Sequence, residues 1–96
     1  MVLELNHGQR ITFEYIEFLE ISKADIVNET DAFNRYATLI DRGVLKQYTH
    51  ALAFDLPYIV HIHTVYNEHF SYYGEHYATL EEAKERKHEL NENYSK

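Results

Sequence analysis

The sequence predicts an α+β fold, a small antiparallel sheet with two or three helices packed on one face. Three observations favour this class. Apolar side chains recur at every second position between Tyr48 and Tyr66, which is typical of strands. Apolar side chains between Ile26 and Ile40 recur at helical spacing, and Thr79 begins a helix-capping sequence.

The length and composition predict one domain, residues 1–96. The absence of cysteine excludes disulfides and thiolate metal sites and is compatible with a reducing compartment. No run of residues approaches the roughly 18 apolar residues of a membrane span, and the first ten residues lack the layout of a signal peptide. A cytoplasmic protein without a membrane partner is therefore expected.

The charge is negative and unevenly distributed. The formal net charge is −7, and no lysine or arginine lies between Lys46 and Lys84. Because nucleic-acid affinity depends mainly on Lys and Arg side chains that neutralise phosphates, this composition argues against a nucleic-acid partner. It favours solubility, a basic protein partner or cations instead.

The N-terminal segment predicts two short strands. Residues 2–15 place them around a loop at 6–9, where Gly8 can adopt a positive φ. Residues 11–18 are rich in β-branched and aromatic side chains, which favours strand. A second interpretation stays open, because apolar residues within 11–19 also continue the helical spacing of the following segment.

Residues 22–42 predict one helix, or two with a break near 28–30. Ser22 with Asp25 resembles a capping pair, and Thr30 offers a second start. Gly43 follows the segment in the position where glycine ends a helix. The shared apolar face consists of Ile26, Phe33, Ala37 and Ile40.

The run from Tyr48 to Tyr66 predicts two strands, because Pro57 cannot donate to a strand ladder. A turn at 67–69 then leads into a third strand, residues 70–77. The last helix follows from Thr79 and Glu82, which form a capping box. Its apolar stripe consists of Leu80, Ala83, Leu90 and Tyr94.

The register of the last two strands decides which side chains meet. A three-residue loop at 67–69 would pair Tyr66 with Phe70 and place the even-numbered positions in the core. The outer face would then bring together two cross-strand pairs, His63 with Tyr73 and His61 with Glu75.

This register predicts a candidate divalent-metal site formed by His61, His63 and Glu75, with Tyr77 at its edge. Two imidazoles and one carboxylate are a known ligand set with open coordination positions. The alternative is a solvated sheet face with cross-strand His–Glu and His–Tyr pairs. No other cofactor is indicated.

The catalytic signatures that we sought are absent from the sequence. It has no cysteine nucleophile, no glycine-rich phosphate loop and no serine in a strand–turn–helix elbow, so we expect a non-enzymatic protein without catalytic residues. The favoured hypothesis is a small acidic protein-interaction module, such as an accessory or inhibitor protein of a phage or other mobile element. Exposed tyrosine is enriched at protein contacts. The predicted partner-binding residues are Glu14, Glu17, Glu20, Tyr73, Glu75 and Tyr77.

Two alternatives to a protein-interaction module stay open. The first is a metal- or ligand-binding module that uses the His61, His63 and Glu75 side chains. The second is a nucleic-acid-binding domain that acts through its sheet. Apart from function, a homodimer is expected as one possible assembly, because exposed strand edges invite pairing.

Residues 74–83, with the sequence GEHYATLEEA, resemble the step from last strand to helix in ethylene-response-factor-type domains and their integrase and homing-endonuclease relatives. The resemblance covers about residues 48–90. It implies three antiparallel strands followed by one helix, with strands that read DNA. The arginines and tryptophans that this family uses on its sheet are absent here, and one extra residue separates Gly74 from Tyr77. The resemblance therefore implies the layout and not the DNA-binding role.

Overall fold

The computed structural model describes residues 1–24, 30–31, 33–34, 37 and 56–95. They form five strands in two antiparallel sheets and one helix with defined bounds. No helix in this part of the chain is long and apolar enough to cross a membrane. The elements are β1 (Val2–Glu4), β2 (Arg10–Thr12), β3 (Tyr15–Lys23), β4 (Tyr58–Tyr66), β5 (His69–Tyr77) and α1 (Leu80–Tyr94).

The N-terminal hairpin confirms the prediction of two short strands. β1 and β2 pair in antiparallel register with Leu3 opposite Ile11, and both side chains are buried. Gly8 has a φ of 95° in the connecting turn, a conformation that glycine adopts without the steric cost of a Cβ. The alternative of a helix over residues 11–19 is wrong, because they belong to β2, β3 and the short segment between them.

The main sheet has the order β3-β4-β5 and is antiparallel throughout. Leu19 of β3 and Ile62 of β4 pair side by side, and both pack against Ala83 and Leu90 of α1. The N-terminal hairpin contributes Phe13, which is completely buried, to the same core. The core therefore lies between α1 and one face of the sheet, which we call the helix-covered face.

The expectation of two or three helices on one sheet face is wrong, because among the described residues one helix with defined bounds, α1, packs on it. Part of the predicted helix at 22–42 is strand: Ser22 and Lys23 end β3, where they pair with Ile59 and Tyr58 of β4. Phe33 and Ala37 have helical backbone and are exposed. Thr30, the predicted second start, also has helical backbone. Ile26, Ile40 and Gly43 lie outside the described residues, as do residues 48–55.

The turn between β4 and β5 is one residue shorter than predicted. Asn67 and Glu68 form it alone, with φ values of 48° and 66°, and Tyr66 pairs with His69. Two central residues with positive φ match the right-handed twist of a tight hairpin. Because side chains alternate along a strand, the one-residue shift turns every side chain of β5 to the opposite face from the one predicted.

The start of α1 confirms the predicted capping box. The Thr79 hydroxyl accepts a hydrogen bond from the Glu82 amide at 3.2 Å and donates one to the Glu82 carboxylate at 3.0 Å. The hydroxyl therefore satisfies one of the backbone donors that a helix start leaves open.

Candidate functional site

The structure does not bring the three predicted metal ligands together. His61 pairs with Gly74, whereas Glu75 pairs with Val60 and lies on the helix-covered face. Directly opposite residues share a face, so the Glu75 carboxylate and the His61 ring lie on opposite sides of the sheet. Among the described residues no group of three or more His, Asp or Glu side chains is arranged to hold a metal ion.

Both ring nitrogens of His61 are instead used by neighbouring hydroxyl groups. Nε2 lies 2.6 Å from the Ser22 hydroxyl of β3, and Nδ1 lies 2.6 Å from the Tyr72 hydroxyl of β5. In a neutral imidazole one nitrogen donates and the other accepts, so the two hydroxyl groups take complementary roles. This chain of hydrogen bonds fixes the His61 ring across all three strands.

A row of aromatic rings crosses the same side of the sheet. Phe18, His63 and Tyr72 lie directly opposite one another on β3, β4 and β5. The His63 ring centroid lies 5.4 Å from that of Phe18 and 5.3 Å from that of Tyr72, distances typical of interacting rings. We call this surface, with Phe70 and His61, the aromatic face.

Three members of the aromatic face are well exposed. Phe70 is 72% exposed, Phe18 52% and Tyr72 43%. Isolated apolar side chains on a surface are ordinary, whereas several exposed rings on one face of a sheet are a feature often found at interaction sites.

The aromatic face continues into an open groove at the end of the β4–β5 hairpin, with a volume of about 780 Å³. Glu14 is fixed at its rim, because its carboxylate accepts a hydrogen bond of 2.6 Å from the Asn67 amide. We call it the hairpin groove. Its lining consists of Glu14, Tyr15, Val65, Asn67, Glu68 and Phe70. Two carboxylates beside an exposed phenyl ring favour a cationic group with an apolar stem.

The structure divides the predicted partner-binding residues between two sides of the sheet. Glu14, Glu17 and Glu20 are all exposed, as expected for a contact surface. Tyr73 and Tyr77 lie on the same face as Glu75, but it is the helix-covered face, where both tyrosines are partly buried against the core and Glu75 is fully buried, so they do not form the exposed surface that was expected. The shorter turn is the cause, since it reverses the facing of β5.

Glu75 is fully buried and forms the centre of a structural cluster. Arg86 of α1 donates to both of its carboxylate oxygens, from Nε at 2.8 Å and from Nη2 at 3.1 Å. The backbone N–H of Asn6 and the Tyr77 hydroxyl donate to the same carboxylate at 2.8 Å and 3.0 Å. One carboxylate therefore ties the N-terminal hairpin, β5 and α1 together.

The cluster shifts the ionisation of its members. Burial, followed by the negative charge of Glu75, raises the pKa of Tyr77 well above its usual range. Burial alone would lower the pKa of Arg86, but its hydrogen bonds and ion pair with Glu75 outweigh that effect and raise it. Both groups keep the protonation state that the hydrogen bonds require.

Sequence reasoning missed Phe18, Phe70 and Tyr72 as surface residues and Arg86 as the partner of Glu75. A signal for the last pair was present, because Arg86 is the arginine nearest in sequence to Glu75 and follows it on the next predicted element. The sequence around Ser22 predicts a helix cap, so no local pattern indicates that Ser22 lies beside His61.

The three-stranded sheet takes its outer strand from Tyr15–Lys23, which lies outside the 48–90 stretch of the ethylene-response-factor resemblance. No family model matches the chain, and neither a curated protein nor a solved structure matches it.

Proposed function

We propose that this protein is a non-enzymatic protein-interaction module that binds an arginine-bearing surface of a partner protein through its aromatic face and hairpin groove. The observation that carries the proposal is the position of Phe70. This ring is 72% exposed and lines a groove together with the carboxylates of Glu14 and Glu68.

Exposed aromatic rings contribute binding free energy when a partner buries them. Burying a phenyl side chain contributes about 1.5–3 kcal/mol, and aromatic residues dominate the energetics of protein interfaces. Phe18 on β3 and Phe70 and Tyr72 on β5 present three aromatic rings on the two strands that flank β4. Strands hold them in place, so little conformational entropy is lost when a partner binds.

Exposed glutamates beside the aromatic face indicate which chemical group a partner would present. Glu14, Glu17 and Glu20 are exposed along or just before β3, at the margin of the aromatic face. A guanidinium group is flat, stacks on aromatic rings and pairs with carboxylates in a planar fork, whereas a phosphate would be repelled by these charges. An arginine-bearing protein therefore fits better than a nucleic acid.

The pairing of Ser22 with His61 does not lead us to an enzymatic proposal. A serine hydroxyl beside an imidazole is the arrangement of an activated nucleophile. Here, however, the other ring nitrogen meets the Tyr72 phenol, and a neutral phenol does not stabilise an imidazolium as a carboxylate does. We assign these hydrogen bonds to the support of the Tyr72 ring.

Small size, acidity and an aromatic docking face suit an accessory or inhibitor protein, of the kind that phages and other mobile elements encode. Such proteins act by covering a surface of a larger partner, which requires no reaction centre. The proposal for this chain remains a stoichiometric protein contact.

The test uses capture from a cell extract on three immobilised baits: the unchanged protein, Phe70→Ser and Tyr66→Ser. Tyr66 is a matched control, since it is 47% exposed at the same hairpin end but projects from the other face of β4. We expect a protein that the unchanged and Tyr66→Ser baits retain and the Phe70→Ser bait loses. The captured partner, once purified, should bind the Phe70→Ser variant at least about tenfold more weakly than it binds the unchanged protein, as measured by calorimetry. Equal affinity for all three baits would contradict the proposal.

A further inference from the structure

A second groove lies between β3 and α1. Its volume is about 580 Å³. The β3 side consists of residues 17–19 and Ile21, so it carries one exposed carboxylate, that of Glu17, beside three apolar side chains, and the opposite wall is a polar side of α1. We call it the helix groove. The wall consists of Lys84, Lys87, His88, Asn91 and Ser95.

The edge of β3 that borders this groove already accepts extended backbone. In the sheet order β3-β4-β5, one side of β3 faces away from β4. Within the described part of the chain the pairing found on that side is a single parallel bridge between Ile16 and Ser95. Ser95 has extended dihedral angles immediately after the end of α1. As far as the described residues show, the rest of this edge offers backbone donors and acceptors to another strand.

The wall of the helix groove is basic although the protein is strongly acidic. Lys84, Lys87 and His88 are spaced three and four residues apart, so they share one side of α1. All three are exposed. No ion pair is found for either lysine among the described residues, whereas Arg10 and Arg86 each pair with glutamate. The two lysines therefore leave a positive charge at the groove that an anionic ligand can neutralise.

We propose that the helix groove binds an extended acidic peptide segment, which adds as a strand to the free edge of β3 beneath α1. Strand addition supplies affinity through main-chain hydrogen bonds and specificity through side-chain pockets on alternate residues. Because side chains alternate along a strand, the carboxylates of the peptide on the side of α1 would pair with Lys84 and Lys87, while its apolar side chains on the other side would lie beside Phe18. This ligand differs in charge from the partner of the aromatic face.

A second copy of this chain fits the edge less well. If two copies paired through β3 around a two-fold axis, their sheets would continue into one another and their helices would lie on the same side. Lys84 and Lys87 of the two copies would then face each other across the axis. Like charges in that position oppose association, so an acidic peptide is the better occupant.

The test titrates the isotopically labelled protein with a blocked peptide of alternating valine and glutamate, followed by nuclear magnetic resonance. We expect saturable shifts at the amides of β3 and at Lys84 and Lys87. A second peptide of the same sequence, methylated on alternate backbone nitrogens, removes the ladder donors without changing side chains. When the methylated nitrogens are the ones that face β3, they can no longer donate hydrogen bonds to its edge, and binding of this peptide is expected to be lost.

Reversing the charges of Lys84 and Lys87 tests whether the peptide binds in the helix groove or elsewhere on the surface. The Lys84→Glu/Lys87→Glu variant should bind the peptide about tenfold more weakly, because two exposed attractions become repulsions. Arg10→Glu is the matched control, since it reverses an exposed charge outside the groove, and it should bind nearly as well as the unchanged protein. Phe70→Ser should also leave this binding unchanged, which separates a failure here from a failure of the proposed function.

Two results would overturn the inference. The first is binding that neither backbone methylation nor lysine reversal weakens, or no saturable binding at all. The second is a concentration-dependent dimer whose interface includes β3 and the helix groove, since a second copy would then occupy the edge.

Discussion

Replacing Arg86 with methionine is expected to lower the free energy of unfolding by about 3–5 kcal/mol. The change removes the cation that faces the fully buried Glu75 carboxylate. Methionine retains most of the apolar stem, so the loss reports the charge and its hydrogen bonds more than lost packing. One-sided removal is costly because it leaves a charge buried without its partner.

The magnitude follows from the contacts of the guanidinium group. Arg86 donates two hydrogen bonds to Glu75, at 2.8 Å and 3.1 Å, and bonds to charged groups contribute about 1.5–3 kcal/mol each. The exposed ion pair with Glu89 adds about 0.2–1 kcal/mol. The Asn6 amide and the Tyr77 hydroxyl still donate to the carboxylate, which keeps the total below the full sum.

The assay is urea unfolding at neutral pH, followed by far-ultraviolet circular dichroism. Lys87→Met is the control, since it removes a positive charge from an exposed position on the same helix and should cost less than about 0.5 kcal/mol. The double variant Glu75→Gln/Arg86→Met should lose less than Arg86→Met, because no buried charge remains. If Arg86→Met and Lys87→Met cost the same, and the double variant recovers nothing, the structural role assigned to this cluster is wrong.

Three further predictions concern stability. The raised pKa of Tyr77 means that its contribution to stability is complete below the ordinary tyrosine pKa of about 10 and is lost as the pH rises above it. Between pH 7 and about pH 11, the free energy of urea unfolding should therefore fall less for Tyr77→Phe than for the unchanged protein. An equal fall in the two proteins would count against a role of the Tyr77 hydroxyl in the Glu75 cluster. Glu68→Gly should raise the free energy of unfolding by about 0.5–1 kcal/mol, because Glu68 has a φ of 66°, and no gain in urea unfolding would speak against strain there. Thr79→Ala should lower it by about 1 kcal/mol while Thr79→Ser retains most of the cap, and a neutral Thr79→Ala would refute the capping role.

Local signals predicted several elements correctly. Gly8 marked the first hairpin, Thr79 marked the start of α1, and the alternation from Val60 to Thr64 identified the buried side of β4. In each case residues close in sequence determine the structure, through a positive φ, a capping hydroxyl or the two-residue period of a strand. Such features need no knowledge of distant pairing.

The register of β5 could not be predicted in the same way. Its two sides carry similar side chains, with Tyr72 on one and Tyr73 on the other, so alternation does not decide which side is buried. The turn at Asn67 and Glu68 lacks the glycine that usually identifies a two-residue hairpin. Because the turn is one residue shorter than predicted, Glu75 lies on the helix-covered face and cannot form a site with His61 and His63.

The helix count depended on a similar ambiguity. The apolar spacing around residues 16–26 is compatible with a helix, but β3 extends to Lys23, where its pairing with Tyr58 continues the ladder. The ladder is a contact between segments far apart in sequence, so no local pattern at Ser22 announces it. Tertiary pairing therefore overrides the local capping signal there.

The most direct test of the aromatic docking face is a magnetic resonance titration of the labelled protein with two blocked hexapeptides, one of arginine and one of lysine. We expect the arginine peptide to bind more tightly, because guanidinium groups stack on rings, and to shift the amides of residues 14–15, 18 and 67–72. Phe70→Ser should abolish the preference for arginine while Tyr66→Ser retains it. Equal affinity for the two peptides, with shifts spread over all acidic surfaces and unaffected by Phe70→Ser, would contradict the claim that this face recognises a partner.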